Sequence, residues 1–314
     1  MQTLQDSCLT SATGRARRRI LRLLSAGLVG VLLTPAVSAC SNRTPIRVAS
    51  QEPDGLKTSA CESAYSRASI REHRDRGPLG IPTPESFEKT AQAWVDAAVN
   101  CPARRDEATV YSARAHLRAW HQKTGDDPRA RPSTDLTVAS SADLDTAASS
   151  MGKDAATQAA EGEDQAGFAV SVLASRTAGA EWMLALSDAH TTAGQTLVSH
   201  LDADPRPGTY SVQELLAHPD TIIDKANGLQ APTIAVVEMN AARTIVASIH
   251  AMTKTTTGFR QNGERHGGSA KQAAGDHQES LRVLTNLAIS HLYLSLAFGY
   301  PDVEAAIFEP TVKS

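Results

Sequence analysis

From Trp182 onward, Leu186, Ala189, Ala193, Leu197 and Leu201 recur every three or four residues. That interval matches the 3.6-residue helical turn, so the segment can bury its apolar side only as a helix packed lengthwise against other rods. A second stripe follows at Ile234, Val237, Ala241, Ile245, Ser248 and Met252. A third segment, with Val283, Leu284, Leu287, Ala288, Leu292, Leu294 and Leu296, is apolar on nearly every side and should be the most buried element. Composition points the same way. Alanine supplies 51 of the 314 residues and aromatics only 13, which favours close-packed helices because Ala is the best helix former and a poor strand former. A formal charge of −3 argues against a nucleic-acid binder that relies on a basic face.

These patterns predict four long helices in residues 151–314. The first runs over about 151–176 and the second over about 178–201, with Thr177-Ala178-Gly179 as the turn. One unbroken helix is the alternative, since Phe168, Val172, Ser175 and Gly179 extend the same stripe backwards. Residues 202–230 form a long connection in which Ser211-Val212-Gln213-Glu214 reads as a capping box for a short helix. Pro232 opens the third helix. Five glycines within 255–275 read as a loop, Asp276 as the cap of the fourth helix, and Gly299 as its stop. Similar lengths, one tight joint and one long connection describe an all-α, four-helix bundle with a crossover.

Before the bundle, Thr83-Pro84-Glu85 is a helix start. Phe87, Ala91, Trp94 and Ala98 then share a face, and after Pro102 so do Val110, Ala113, Leu117 and Trp120, up to Gly125. Residues 83–125 are therefore expected to form a helical hairpin. Residues 126–150, rich in Ser, Thr, Asp and Pro, are expected to be a linker with little helix.

At the N-terminus, five arginines between Arg15 and Arg22 precede an apolar run from Leu23 to Val37, the n- and h-regions of a secretory signal. The run ends Val37-Ser38-Ala39-Cys40, which resembles the lipobox of bacterial lipoproteins. That resemblance implies cleavage after residue 39, a diacylglyceryl group on Cys40, and anchorage at the extracytoplasmic face of the cell membrane. Cysteine parity agrees: lipidation of Cys40 leaves Cys61 and Cys101 as one even pair, and a disulfide between them is expected. Without residues 1–39 the chain has 26 basic and 33 acidic residues, a net charge of −7, so it should stand off an anionic surface. Residues 40–82 are read as the lipid-anchored tether and a loop.

The runs Phe168-Ala169-Val170-Ser171-Val172-Leu173-Ala174-Ser175-Arg176 and Asp188-Ala189-His190, with Glu238 and Phe298-Gly299-Tyr300-Pro301, resemble a ferritin-like family of secreted and lipid-anchored proteins from high-GC Gram-positive bacteria. The resemblance covers about residues 150–305 and implies a ferritin-like bundle without a settled activity. Where that family has basic residues after the His, this chain has Thr191-Thr192-Ala193-Gly194.

Ferritin-like di-iron sites need Glu-x-x-His on two helices, and no Glu here is followed three residues later by His. There is no G-x-S-x-G, H-E-x-x-H, Walker loop or G-x-G-x-x-G. His190, Glu238, Glu163 and His291 could form a polar cluster contributed by facing helices, able to hold a metal or small ligand. The simpler expectation is that they face solvent or pair with neighbours, leaving an interior of Ala and Leu without an ionisable cage. No cofactor is expected. The expected function is a non-enzymatic binding module of the cell envelope, for an envelope partner or small ligand. The alternative is a metal-binding or redox enzyme on a degenerate ferritin-like bundle.

Overall fold

The computed structural model describes residues 58–77, 82–125, 140–207, 209–262 and 269–301, with positions 127, 130–133 and 308. The stretch expected to be a secretory signal, the lipobox-like run with Cys40 and most of the expected tether lie outside the described residues.

Where a loop was expected after the tether, α1 (Ala60–Arg76) forms. Its start is a capping box: the Ser59 hydroxyl accepts from the Glu62 amide, and the Glu62 carboxylate accepts from the Ser59 amide. The buried positions are Ala64, Ala68, Glu72 and Asp75. That face is helical in spacing but carries no large apolar residue, so apolar periodicity could not reveal it. The Cys61–Cys101 disulfide joins α1 to the end of α2 (Pro84–Asn100). A 3-10 turn at Pro102–Arg104 leads into α3 (Arg105–Thr124). Gly125 ends α3 at φ +61, in the left-handed region that suits glycine. Trp94 sits between Tyr65, edge-on at 5.4 Å, and Tyr111, stacked at 4.7 Å.

The expected linker contains α4 (Ser141–Ser150), which buries Leu144, Ala147 and Ala148. Its Leu and two Ala give it a short apolar face, hidden among Ser, Thr and Asp on either side. After α4 come α5 (Lys153–Ala174) and α6 (Glu181–Val198), so the stripe through Gly179 is two helices and not one. Gly179 turns the chain between them at φ +68.

Residues 199–232 cross over and include α7 (Gln213–Ala217). They also hold a small antiparallel hairpin of β1 (Thr221–Ile223) and β2 (Gln230–Pro232), which the sequence did not announce. The expected capping box before α7 does not form: Val212 is the N-cap and no side chain caps the helix. Next come α8 (Thr233–Asn262) and α9 (Ser269–Ala297). Both extend into the stretch expected to be a loop, and Asp276 lies inside α9 rather than at its start.

The result is mostly helical, a helical bundle with a minimal sheet. Helix α5 packs on α6 and α8, α8 packs on α9, and α4 packs against both α6 and α9. The α1–α3 unit is not separate. Helices α2 and α3 lie on α9, and Val95, Val99, Val110 and Ala113 belong to the same apolar cluster as the bundle core. Arg282 reaches Asp96 at 2.8 Å and His250 reaches Asp106 at 3.0 Å across the junction. Leu284, Leu287, Ile289, Leu292 and Leu294 of α9 are among the largest fully buried side chains. No described helix is long and apolar enough to cross a membrane.

Candidate metal centre

Four ionisable residues occupy positions where the helical stripes call for Leu or Ala. On α5, Glu163 stands between Ala159 and Ala166. On α6, His190 stands between Leu186 and Ala193. On α8, Glu238 lies between Ala235 and Ala242, and on α9 His291 lies between Leu287 and Leu294. Each faces the common interior because its i−3, i−4, i+3 and i+4 neighbours do. All four side chains are 0% exposed.

They form a closed ring. His190 Nδ1 lies 2.8 Å from Glu163 Oε2, and His190 Nε2 lies 3.2 Å from Glu238 Oε1. His291 Nδ1 lies 3.0 Å from Glu238 Oε2, and His291 Nε2 lies 2.6 Å from Glu163 Oε1. Four imidazole nitrogens thus meet four carboxylate oxygens, one to one. All four residues of the polar cluster considered from sequence are brought together, and the expectation of an interior without an ionisable cage does not hold. Sequence reasoning undervalued one signal, an ionisable residue at the centre of each of four apolar stripes.

The electrostatics follow from this geometry. Burial alone would push His190 and His291 toward the neutral form, but the carboxylates outweigh it, raising His190 to about 10 and His291 to about 9. Burial would likewise raise Glu163, yet the facing imidazolium charges and hydrogen bonds bring it down to about 2. Glu238 is lowered for the same reason. Without a metal, the ring is two carboxylates and two imidazolium ions, neutral overall, with every N–H donating to an oxygen.

Glycines let the helices close on this point. A Cβ at Gly162, beside Glu163, would sit 2.7 Å from Thr244 Cγ2 of α8. A Cβ at Gly167 would sit 3.1 Å from His190 Cβ. Serines then clip the seams: Ser187 Oγ donates to the Gly167 carbonyl at 2.8 Å, and Ser295 Oγ donates to the Ala235 carbonyl at 2.7 Å. Each clip lies about one turn from a member of the ring, so four donors are held by backbone that is itself fixed.

The donor set is mixed nitrogen and oxygen. Such sets suit divalent first-row ions, above all zinc, iron and manganese. Ligand atoms of Glu163, His190 and His291 lie within 4.8 Å of one another, a grouping that could hold one ion once the two nearly parallel imidazoles tilt toward it. Separately, a cleft of about 710 Å³ lies between α5, α8 and the crossover, lined by Ala166, Phe168, Leu215, Val237 and Asn240 among others. Comparison with family models, with curated proteins and with solved structures returns no match to this chain.

Proposed function

We propose that this protein is a metal-binding module of the cell envelope, carrying a divalent first-row ion among Glu163, His190, Glu238 and His291 on a ferritin-like frame. The observation that carries the reading is the fully buried ring, to which each of four helices contributes one imidazole or carboxylate. Ordinary folding does not call for it. Replacing a buried ionic cluster by apolar side chains of similar volume is often neutral or stabilising, so four such groups at the bundle centre speak for a task beyond packing. A divalent ion with two carboxylates and two neutral imidazoles is also neutral, so the ion can replace the ring protons without leaving net charge in the interior.

The test is metal analysis of the purified chain after incubation with zinc, iron(II), manganese(II) or cobalt(II) and removal of excess. About one tightly held ion per chain supports the reading. A chain that holds none of them after such loading, while remaining helical by circular dichroism, overturns it and leaves the ring as a structural network.

The address is a proposal of its own. The run Val37-Ser38-Ala39-Cys40 supports a lipid anchor on Cys40 and display on the extracytoplasmic face. Labelled fatty acid should enter the wild-type chain and be lost in Cys40→Ser. Label retained in that variant would overturn the assignment to Cys40, and a wild type that takes up no label would overturn the anchor.

A further inference from the structure

The ring has two edges, and they are not equivalent. The imidazoles of His190 and His291 are nearly parallel, 8° apart in plane, with centroids 5.0 Å apart. Each edge therefore presents one nitrogen from each ring beside one carboxylate. Glu163 faces His190 Nδ1 and His291 Nε2, while Glu238 faces His190 Nε2 and His291 Nδ1. The two nitrogens of an imidazole point away from each other, so each ring can offer only one of them to a given ion. An ion that takes a nitrogen from both stacked rings must sit at one edge. The carboxylate at the opposite edge is then on the far side of the rings, beyond bonding distance.

The contacts choose the edge. On the Glu163 side the nitrogen–oxygen separations are 2.8 and 2.6 Å, and on the Glu238 side they are 3.2 and 3.0 Å. The mutually close ligand atoms are those of Glu163, His190 and His291. Resting on the metal-binding reading above, we infer that a single divalent ion is bound by the Glu163 carboxylate, His190 Nδ1 and His291 Nε2, and that Glu238 is a positioning residue outside its coordination sphere. Glu238 Oε1 accepts from His190 Nε2–H, and Glu238 Oε2 accepts from His291 Nδ1–H. One carboxylate thus fixes the tautomer and orientation of both metal-ligating rings, a role that outer carboxylates play for ligating histidines generally. Two histidines and one carboxylate leave a tetrahedral ion one position for water or a small anion, the arrangement of reactive rather than closed sites.

The experiment is cobalt(II) titration of the wild type, Glu163→Gln and Glu238→Gln, read by visible absorption. The wild type should bind one cobalt per chain. Glu238→Gln should bind about 10–100-fold more weakly yet keep the stoichiometry and band positions. Glu163→Gln should lose the wild-type bands. The reverse pattern, or equal loss in both variants, overturns the assignment, as does a wild-type stoichiometry of two, which would place an ion at each edge. A wild type that takes up no cobalt overturns the metal reading itself, whereas uptake with a reversed pattern overturns only the division of roles between Glu163 and Glu238. Should a variant fail to fold, nitrogen-15 histidine NMR of the zinc-loaded wild type decides. His190 must keep its proton on Nε2 and His291 on Nδ1, and the opposite tautomer of either ring overturns the inference.

Discussion

The rings of His190 and His291 stack at 5.0 Å between two carboxylates that each span both of them. Two imidazolium ions in that position would repel each other, and only the flanking Glu163 and Glu238 make it tolerable. Stability of the metal-free chain must therefore depend on pH from both sides. For His190 and His291 the folded values, about 10 and about 9, lie above the ordinary 6.5. Their contribution is fully present below about pH 6.5 and is lost as pH rises through 9 to 10. For Glu163 the folded value, about 2, lies below the ordinary 4.5, so its contribution is present above about pH 4.5 and is lost as pH falls toward 2. Thermal melts of chelator-treated protein should give a plateau near pH 5–6, with Tm falling on both sides. A Tm that stays level between pH 6 and 10 would contradict the protonated ring.

Gly162 sets how closely α5 approaches α8. Its substitution by Ala places a methyl 2.7 Å from Thr244 Cγ2 and 2.8 Å from Thr244 Cβ, so one of the two helices must shift. The expected cost is about 1–3 kcal/mol in urea denaturation. Thr244→Ser removes Cγ2, so the double variant Gly162→Ala with Thr244→Ser should recover part of that loss. Additive costs for the two substitutions would show that this contact does not limit the approach.

The disulfide encloses a 40-residue separation. In the loop-closure account such a bridge removes about 4 kcal/mol of chain entropy from the unfolded state, so replacing both Cys61 and Cys101 by Ser should lower unfolding stability by about 2–4 kcal/mol. Because α1 is held by small and polar side chains, its amides should lose hydrogen-exchange protection first. Unchanged protection across residues 60–76 in the double variant would mean that packing on Trp94 suffices without the bridge.

What the sequence reveals differs from element to element for the same reason. Leu186 and Leu197, or Leu284 and Leu287, announce their helices because a large apolar side chain at helical spacing has one economical destination. The pairing of Cys61 with Cys101 follows from parity once Cys8 is assigned to a leader and Cys40 to a lipid anchor, as the lipobox-like run suggests. Helix α1 is not legible by periodicity, because its buried face is Ala64, Ala68, Glu72 and Asp75. There the carboxylates are held by partners far along the chain: Glu72 accepts from Trp94 Nε1 at 3.2 Å and from Arg118 Nη1 at 2.7 Å. The ring falls between these cases. Each of its members is visible as an ionisable residue on an apolar stripe, but convergence depends on the relative depth and rotation of four helices. Gly162, Gly167 and the serine clips set those, and no local pattern in the sequence encodes them.

Asp224 anchors the crossover to the bundle. Its carboxylate is buried and accepts from the Ala226 amide at 2.9 Å, from Arg243 Nη1 at 2.8 Å, and from the Tyr300 hydroxyl. It thereby ties the β1–β2 hairpin to α8 and to the residue that follows the Gly299 stop of α9. Asp224→Asn keeps the shape but removes the charge facing Arg243, and its amide group cannot accept at both former oxygen positions. Losing one side of a buried charged contact costs about 3–5 kcal/mol in a sealed interior, and about 2–3 kcal/mol here because Arg243 keeps 15% of its side-chain surface exposed. The loss should be local. Hydrogen exchange over residues 221–232 should accelerate more than that of α9, and the ring, held by the α5–α6 and α8–α9 clips, should keep the His190 and His291 contacts to Glu163 and Glu238, with the histidine NMR signals of the chelator-treated chain unchanged. A uniform loss of protection through α9 would instead make Asp224 part of the global core, and the crossover an integral wall of the bundle rather than a strap across it.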